Sequence, residues 1–301
     1  MILVDNRNTT DPFINLAIEE FLIRHANCEE KDYVLFYVNE PSIVLGKNQS
    51  IWKEINFEYL RNGKLKLCRR ISGGGTVYHD KGNLSFAFIS KFAEEKINNY
   101  KLFNQPIVNA LRKAGVKAEM DVRNNILCNG KKFSGSAQFT NRKNMISHGT
   151  ILLNADLNTL RSCLKENDFK IETRAVDSVK SSVINISEVT DKFSSVEDLK
   201  IFLTSELKAN EVYAFSNDEW NLIEKLADEK FKTFEWIYGR SPLTRIIRNG
   251  TEIKIEDGKL ISMVNGQWSM VNLSGVSYQY NAIKKALEDS PNASEILKQI
   301  F

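Results

Sequence analysis

"CRRISGGGTVYHDKGN", residues 68–83, places two arginines ahead of a serine and three consecutive glycines. The chain has only 15 glycines in 301 residues, so three in a row need a cause. Glycine loses more conformational freedom on folding than any other residue, and compact domains keep it where backbone bends sharply or meets a ligand. The apolar runs on either side predict strands near 65–71, 76–79 and 84–90. The stretch is neither the phosphate loop G-x-x-x-x-G-K-[ST] nor the dinucleotide fingerprint G-x-G-x-x-G. What remains is a strand–loop–strand in which Gly73, Gly74 and Gly75 let backbone N–H groups crowd around a phosphate or carboxylate. Arg70 adds a rigid, permanently charged fork. A glycine-rich bulge with a surface arginine pair is the competing reading.

Outward from this loop the chain alternates short strands and helices. Asp11-Pro12 starts a helix, with Ile14, Ala17, Ile18, Phe21 and Leu22 at helical spacing. "YVLFYV" (33–38) and "SIVLG" (42–46) read as strands, 54–62 as a helix. Residues 100–116 read as a helix with a proline near its first turns and Gly115 at its end. Asn129-Gly130 is a hairpin turn between "NILC" and "KKFSGSAQF". Further helices are expected at 157–166, 195–209 and 217–230. After "WIYGRSP" (236–242) the turn signals Asn249-Gly250, Asp257-Gly258 and Asn265-Gly266 separate three short strands, and a helical segment follows at 277–288. The expected architecture is α+β: a large mixed-sheet domain over 1–240 and a small α+β domain over 241–301.

Composition narrows the function classes. Hydrophobic residues make up 42% and charged residues 26%, with a net charge of +3, which argues against a dedicated nucleic-acid binder. Cys28, Cys68, Cys128 and Cys163 are scattered and form no metal-ligand spacing, so reduced thiols in a cytoplasmic protein are expected. No apolar run approaches the ~20 residues that span a bilayer, and no secretory signal is visible.

Two other stretches carry chemistry. "GKKFSGSAQ" (130–138) leaves the hairpin as a strand, on which Lys132 shares a face with Ser134 and Ser136, and Phe133 with Ala137. If Phe133 packs inward, Lys132 looks out over small groups and can reach a charged substrate. A solvated hairpin lysine is the plain alternative. In "SHGT" (147–150), His148 is either a pocket wall or a satisfied core histidine. His79 is open in the same way, and His25 reads as surface. A glycine loop with arginine, plus a lysine, suits chemistry in which a phosphoryl group develops charge.

These stretches, with "PSIVLGKNQ" (41–49), "RNNILCNGKK" (123–132), "DSVKSSVINISEV" (177–189) and "WIYGRSP", closely resemble the lipoate–protein ligase A family over essentially the whole chain. The resemblance implies a biotin/lipoate ligase-type catalytic domain and a two-step reaction. Lipoate and ATP give lipoyl-AMP, and the lipoyl group then passes to a lysine of an acceptor. It implies that Arg70 and the backbone of Gly75, Thr76, Val77 and Tyr78 hold the nucleotide's phosphate, with Ser72, Gly73, Gly74 and Asn83 at the same nucleotide site. Lys132 contacts both phosphate and lipoyl carboxylate, and Ser134, Gly135, Ala137, His148 and Gly149 line the lipoate site. Mg²⁺ would arrive with ATP, bound through phosphates and water, with no dedicated metal ligands. An apolar tunnel would take the lipoyl tail, and loops would close over the adenylate. The implied acceptors are lipoyl domains of 2-oxoacid dehydrogenase complexes and the glycine-cleavage H protein, and the implied state is a monomer. The family usually reads Arg-Asn-Asp where this chain has Arg123-Asn124-Asn125. An ATP-independent lipoyl or octanoyl transferase, with Cys128 as the nearest candidate thiol, and a non-catalytic binding paralogue are the rivals. A biotin ligase lacks support, because its adenylate loop is absent.

Overall fold

The computed structural model describes residues 1–62, 65–248, 250–264, 273, 275–290 and 293–300. Asn249 and the Asn265-Gly266 pair lie outside the described residues.

A six-stranded mixed sheet forms the centre, in the order Ser136–Thr140, Asn144–Leu152, Asn83–Lys91, Tyr33–Tyr37, Ile2–Asp5, Glu211–Ala214. The first three pairings are antiparallel and the last two parallel. Tyr33–Tyr37 is buried along its whole length, which explains why it reads as a continuous apolar run rather than an alternating one. Two three-stranded sheets flank the centre. One pairs Ser42–Leu45 in parallel with Lys66–Arg69 and antiparallel with Val77–His79. The other is an antiparallel meander of Ala118–Met120, Ile126–Cys128 and Lys131–Ser134. Asn129 and Gly130 both take positive φ (52° and 72°) in its turn, as a two-residue hairpin requires.

The helix Pro12–His25 is capped by Asp11, whose carboxylate accepts from the Phe13 N–H at 2.8 Å. It is buried from Ile14 to Ile23 because the central sheet packs against one side and the turns around Ile223, Ala227 and Phe231 against the other. His25 is exposed. The helix expected over 54–62 is two short ones, Ile51–Glu54 and Phe57–Asn62. Asn56 restarts the chain by accepting from the Glu58 N–H through its side chain. Pro106 lies in the second turn of the helix Tyr100–Lys113, near its start as expected, and Asn99 provides the cap.

A fourth sheet, antiparallel throughout, contains Thr244–Arg248, Thr251–Glu256 and Lys259–Val264, as the turn signals predicted. Its outer strand is Lys170–Thr173, from the middle of the chain. The helices Tyr280–Ala286 and Ala293–Ile300 follow. Among the described residues no helix is long and apolar enough to cross a membrane.

Candidate active site

The strand expected to run unbroken through 131–138 stops at Gly135. Lys131–Ser134 belongs to the meander and Ser136–Thr140 to the central sheet, so the face alternation drawn for one strand does not carry across. The break opens a cavity of about 300 Å³, into which the glycine loop, the hairpin and the central strands all face. Of the residues expected at the site, Arg70, Gly74, Gly75, Thr76, Val77, Lys132, Gly135, Ala137, His148 and Gly149 line it.

Ser72, Gly73, Tyr78, Asn83 and Ser134 do not line it. On Val77–His79 the side chains alternate, so Val77 and His79 face the cavity while Tyr78 turns the other way, into the cluster with Ile43 and Trp52. Asn83 lies on the Ser85 face of its strand, fully buried, and donates to Ser85 Oγ at 3.3 Å. Ser134 is buried beneath the hairpin.

The two arginines that read alike have different work. Arg69 is fully buried and donates to the carbonyls of Gly46, Gln49 and Ile237 and to Ser241 Oγ, at 2.7–3.0 Å. It fastens the 42–49 segment to residues 237–241. Arg70 lines the cavity, but its N–H groups point into the loop: Nε to Ser72 Oγ (3.0 Å), Nη1 to the Val44 carbonyl (3.1 Å), Nη2 to the carbonyls of Gly73 (2.6 Å) and Gly75 (2.7 Å). It therefore shapes the glycine loop from behind while keeping positive charge beside it. Burial pulls the Arg69 guanidinium down to about 9 and that of Arg70 to about 10, so both stay charged at neutral pH.

The glycine triplet divides by position. Gly74 takes φ +85°, a conformation other residues adopt only under strain, and a Cβ on Gly75 would lie 3.0 Å from Ser178 Oγ. Ser178 belongs to residues 176–181, a strap laid over the loop. Its hydroxyl accepts from the Thr76 N–H (2.9 Å) and from Gln49 Nε2 (3.0 Å), and donates to Glu54. The strap is held at one end by Val176 N–H to the Asn48 carbonyl (3.3 Å) and at the other by Ser182 to Ile184 pairing with Lys132.

Lys132 Nζ has no hydrogen-bond or ion-pair partner among the described residues. Burial pushes its pKa down, Asp121 pulls it back up, and Arg70 lowers it further. Beside it, Asp121 accepts from the Asn125 N–H and the Asn125 side-chain amide, each at 2.8 Å. An ionised carboxylate only accepts, so Nδ2 of Asn125 faces Asp121 and its Oδ1 is left toward Lys132 and Gly135. The carboxylate missing at position 125 is thus present one step back, at Asp121.

The cavity behind these groups has apolar lining from Leu16, Val44, Val77 and Ala137, as an apolar tail would need, and a polar cluster is set into its wall. His148 sits between Ser72 Oγ (2.6 Å from Nε2) and Glu19 Oε2 (2.8 Å from Nδ1), and the Tyr37 hydroxyl donates to Glu19 Oε1 at 2.9 Å. Tyr37, Ser85 and His79 line the same wall. Glu19, Tyr37, Gln49 and Ser178 were not singled out from sequence. For Glu19 a signal existed, since two glutamates interrupt the apolar run "NLAIEEFLI" (15–23). All four cysteines are buried and none lines the cavity; burial raises Cys28 to about 11 and Cys163 to about 12. Among the described residues no three His, Cys, Asp or Glu groups could together hold a metal. The oxygen atoms offered to a cation arriving with a nucleotide are Asn125 Oδ1 and Asp177, which lines the cavity and pairs with Lys53 at 2.7 Å. That sparse set fits a magnesium ion carried chiefly by phosphates and water.

Residues 11–208 match the lipoyl protein ligase A/B catalytic domain. The chain is 41% identical over 248 residues to lipoate-protein ligase LplJ of Bacillus subtilis, covering 80% of this chain and 75% of that one. It is also 41% identical over 261 residues to lipoate–protein ligase 1 of Staphylococcus aureus, covering 86% and 78%. A solved lipoate-protein ligase A bound with ATP superposes with a TM-score of 0.66 at 24% identity, over 80% of this chain and 98% of the other. The lipoate complex of LipL1 from P. falciparum gives 0.66 at 22% identity, over 100% and 98%. At these identities the structures establish a shared fold. With two-thirds of its length matched and the sequence kinship reaching beyond it, the chain belongs to the lipoyl protein ligase A/B catalytic domain family.

Proposed function

We propose that this chain activates lipoate with ATP and transfers the lipoyl group to a lysine of lipoyl domains, including those of 2-oxoacid dehydrogenase complexes and the glycine-cleavage H protein. One observation carries the reading: a lysine ammonium without a partner among the described residues and a glycine loop braced by Arg70 face each other across one cavity that no cysteine enters.

In the first step a lipoate carboxylate oxygen attacks the α-phosphorus of ATP, and the bond to pyrophosphate breaks. Both reactants are anions. Lys132 brings a mobile positive charge between them, and Arg70 a fixed one behind the loop, so repulsion falls as the reacting atoms approach. The glycine loop admits the phosphate because it presents no side chain there. The Ser178 hydroxyl, which takes the Thr76 N–H, must yield to or share with a phosphate oxygen, so strap and nucleotide are linked. In the second step the acceptor amine attacks the lipoyl carbonyl, loses a proton, and AMP leaves. Lys132 then stabilises the departing phosphate. Asn125 Oδ1 and Asp177 are the cavity oxygens that would help hold a magnesium ion brought in by the phosphates, and such an ion would supply further charge neutralisation. Burial beneath the strap keeps water from the mixed anhydride.

The absence of a cavity cysteine disfavours the thiol-dependent transferase. The test is lipoate-dependent exchange of pyrophosphate into ATP, followed by mass measurement of bound lipoyl-AMP and of a lipoyl-domain acceptor. Exchange that requires lipoate and vanishes in Lys132→Ala supports the reading. Lipoyl transfer from a preformed acyl donor without any exchange overturns it.

A further inference from the structure

His79 is buried, with 4% of its surface exposed, yet its ring lines the cavity. A row of buried amides fixes which of its nitrogens carries the proton. Asn15 Nδ2 faces the carbonyls of Thr9 (3.2 Å) and Val38 (3.4 Å), which only accept, so that atom is the amide nitrogen. It also donates to Asn39 at 2.9 Å, so the Asn39 atom there is Oδ1. Asn39 Nδ2 therefore faces His79 Nδ1, at 2.9 Å, and Nδ1 is the acceptor. Asn6 closes the row from behind, donating to Asn15 Oδ1 at 3.0 Å and to the Thr9 carbonyl at 3.1 Å. Burial first, then Arg70 and His148, push His79 down to about 3, so the ring is neutral and its proton sits on Nε2. Nε2 is a buried donor with no partner among the described residues.

A buried donor left unpaired is costly, and a site retains one where a ligand satisfies it. The wall that holds His79 is built by its own flanking strand together with Tyr37 and Ser85 of the central sheet, and not by the hairpin that brings Lys132 to the carboxyl group. Away from its carboxyl group, lipoate offers only the sulfur atoms of its dithiolane ring as acceptors, whereas a plain alkyl acid such as octanoate offers none. We propose that His79 is the specificity residue of this site: its Nε2–H donates to a dithiolane sulfur and so distinguishes lipoate from an unfunctionalised chain. The inference rests on the ligase reading above and names the substrate feature that the same cavity selects.

The experiment compares kcat/KM for lipoate and octanoate in the pyrophosphate exchange, in the parent enzyme and in His79→Gln, His79→Asn and His79→Leu. The glutamine amide nitrogen reaches the place of Nε2, and the asparagine amide reaches only that of Nδ1. The preference for lipoate should fall about five- to tenfold in His79→Leu and His79→Asn and stay within about twofold of the parent in His79→Gln. An unchanged preference in His79→Leu, or equal rescue by asparagine and glutamine, overturns the proposal. Should the variants fail to fold, ¹⁵N NMR of the parent enzyme decides. The Nε2 proton resonance of His79 should shift on adding lipoate and not octanoate, and equal shifts with both acids overturn the assignment. If the parent shows no lipoate-dependent exchange while the NMR distinguishes the acids, the ligase reading fails and the recognition role stands.

Discussion

Lys132 Nζ and Asn125 Oδ1 converge on Gly135: a Cβ added there would lie 2.8 Å from the first and 3.9 Å from the second. The break between the two strands therefore serves the lysine. It is a place kept bare so that a charged chain end can lie across it.

Gly135→Ala should separate activity from stability. The atoms an alanine would strike are Lys132 Nζ and Cε, the free end of a flexible side chain, so the protein should melt near the parent temperature. Adenylate formation should drop about hundredfold, because the ammonium is pushed off its position by roughly an ångström. Gly149→Ala is the contrast. Its Cβ would lie 2.6 Å from Phe86 Cζ and 2.8 Å from the Gly135 carbonyl, neither of which can swing away. It should cost about 1–3 kcal/mol by denaturant unfolding.

Lys132→Met tests the price of burying a charge. The folded-state pKa of Lys132 is lowered, chiefly by burial, so the native protein binds its proton less tightly than the unfolded chain does. The sign follows: below the lowered value the charged lysine destabilises the fold, and the penalty disappears as pH rises through that value toward the ordinary lysine range. Lys132→Met should melt higher than the parent at neutral pH, with the gap closing as pH is raised, while exchange falls at least about hundredfold. Melting curves across pH for both proteins check this.

Arg69→Lys should be far from conservative. A lysine has no planar fork with which to reach the carbonyls on both sides, and several of these would be left buried and unpaired. A loss of about 2–4 kcal/mol in urea unfolding is expected.

Ser178→Ala removes the acceptor for the Thr76 N–H and Gln49 and the donor to Glu54 at once. The strap then loses its grip on the glycine loop. The KM for ATP should rise about five- to tenfold, with the KM for lipoate nearly unchanged, in steady-state exchange assays.

Local signals were legible wherever one segment decides its own shape. The Asp11 cap, the Asn129-Gly130 turn and the helical spacing from Ile14 to Leu22 needed no partner, and all appear in the structure. What stayed hidden depends on distant pairing. The strands Ile2–Asp5 and Glu211–Ala214 lie side by side although about two hundred residues separate them, and Lys170–Thr173 is a strand only because Thr244–Arg248 accepts it. At the site, residue type pointed to an arginine and a lysine, but nothing local distinguishes Arg69, a fastener, from Arg70, the loop's brace. Alternation on the short strand Val77–His79 turns the His79 side chain to the cavity and the Tyr78 side chain away from it, a choice no local signal announces. Glu19 was masked by apolar neighbours that are buried for a different reason, the helix being covered on two sides.

The outer strand Lys170–Thr173 ends three residues before the strap begins at Val176. Three residues of extended chain span roughly 10 Å at most. With that strand fixed in its sheet, the cover over the catalytic chamber is a short-tethered flap. Because that strand pairs with Thr244–Arg248, the reach of the flap is set by where this sheet lies, and the latitude left to the cover is only what the short tether allows.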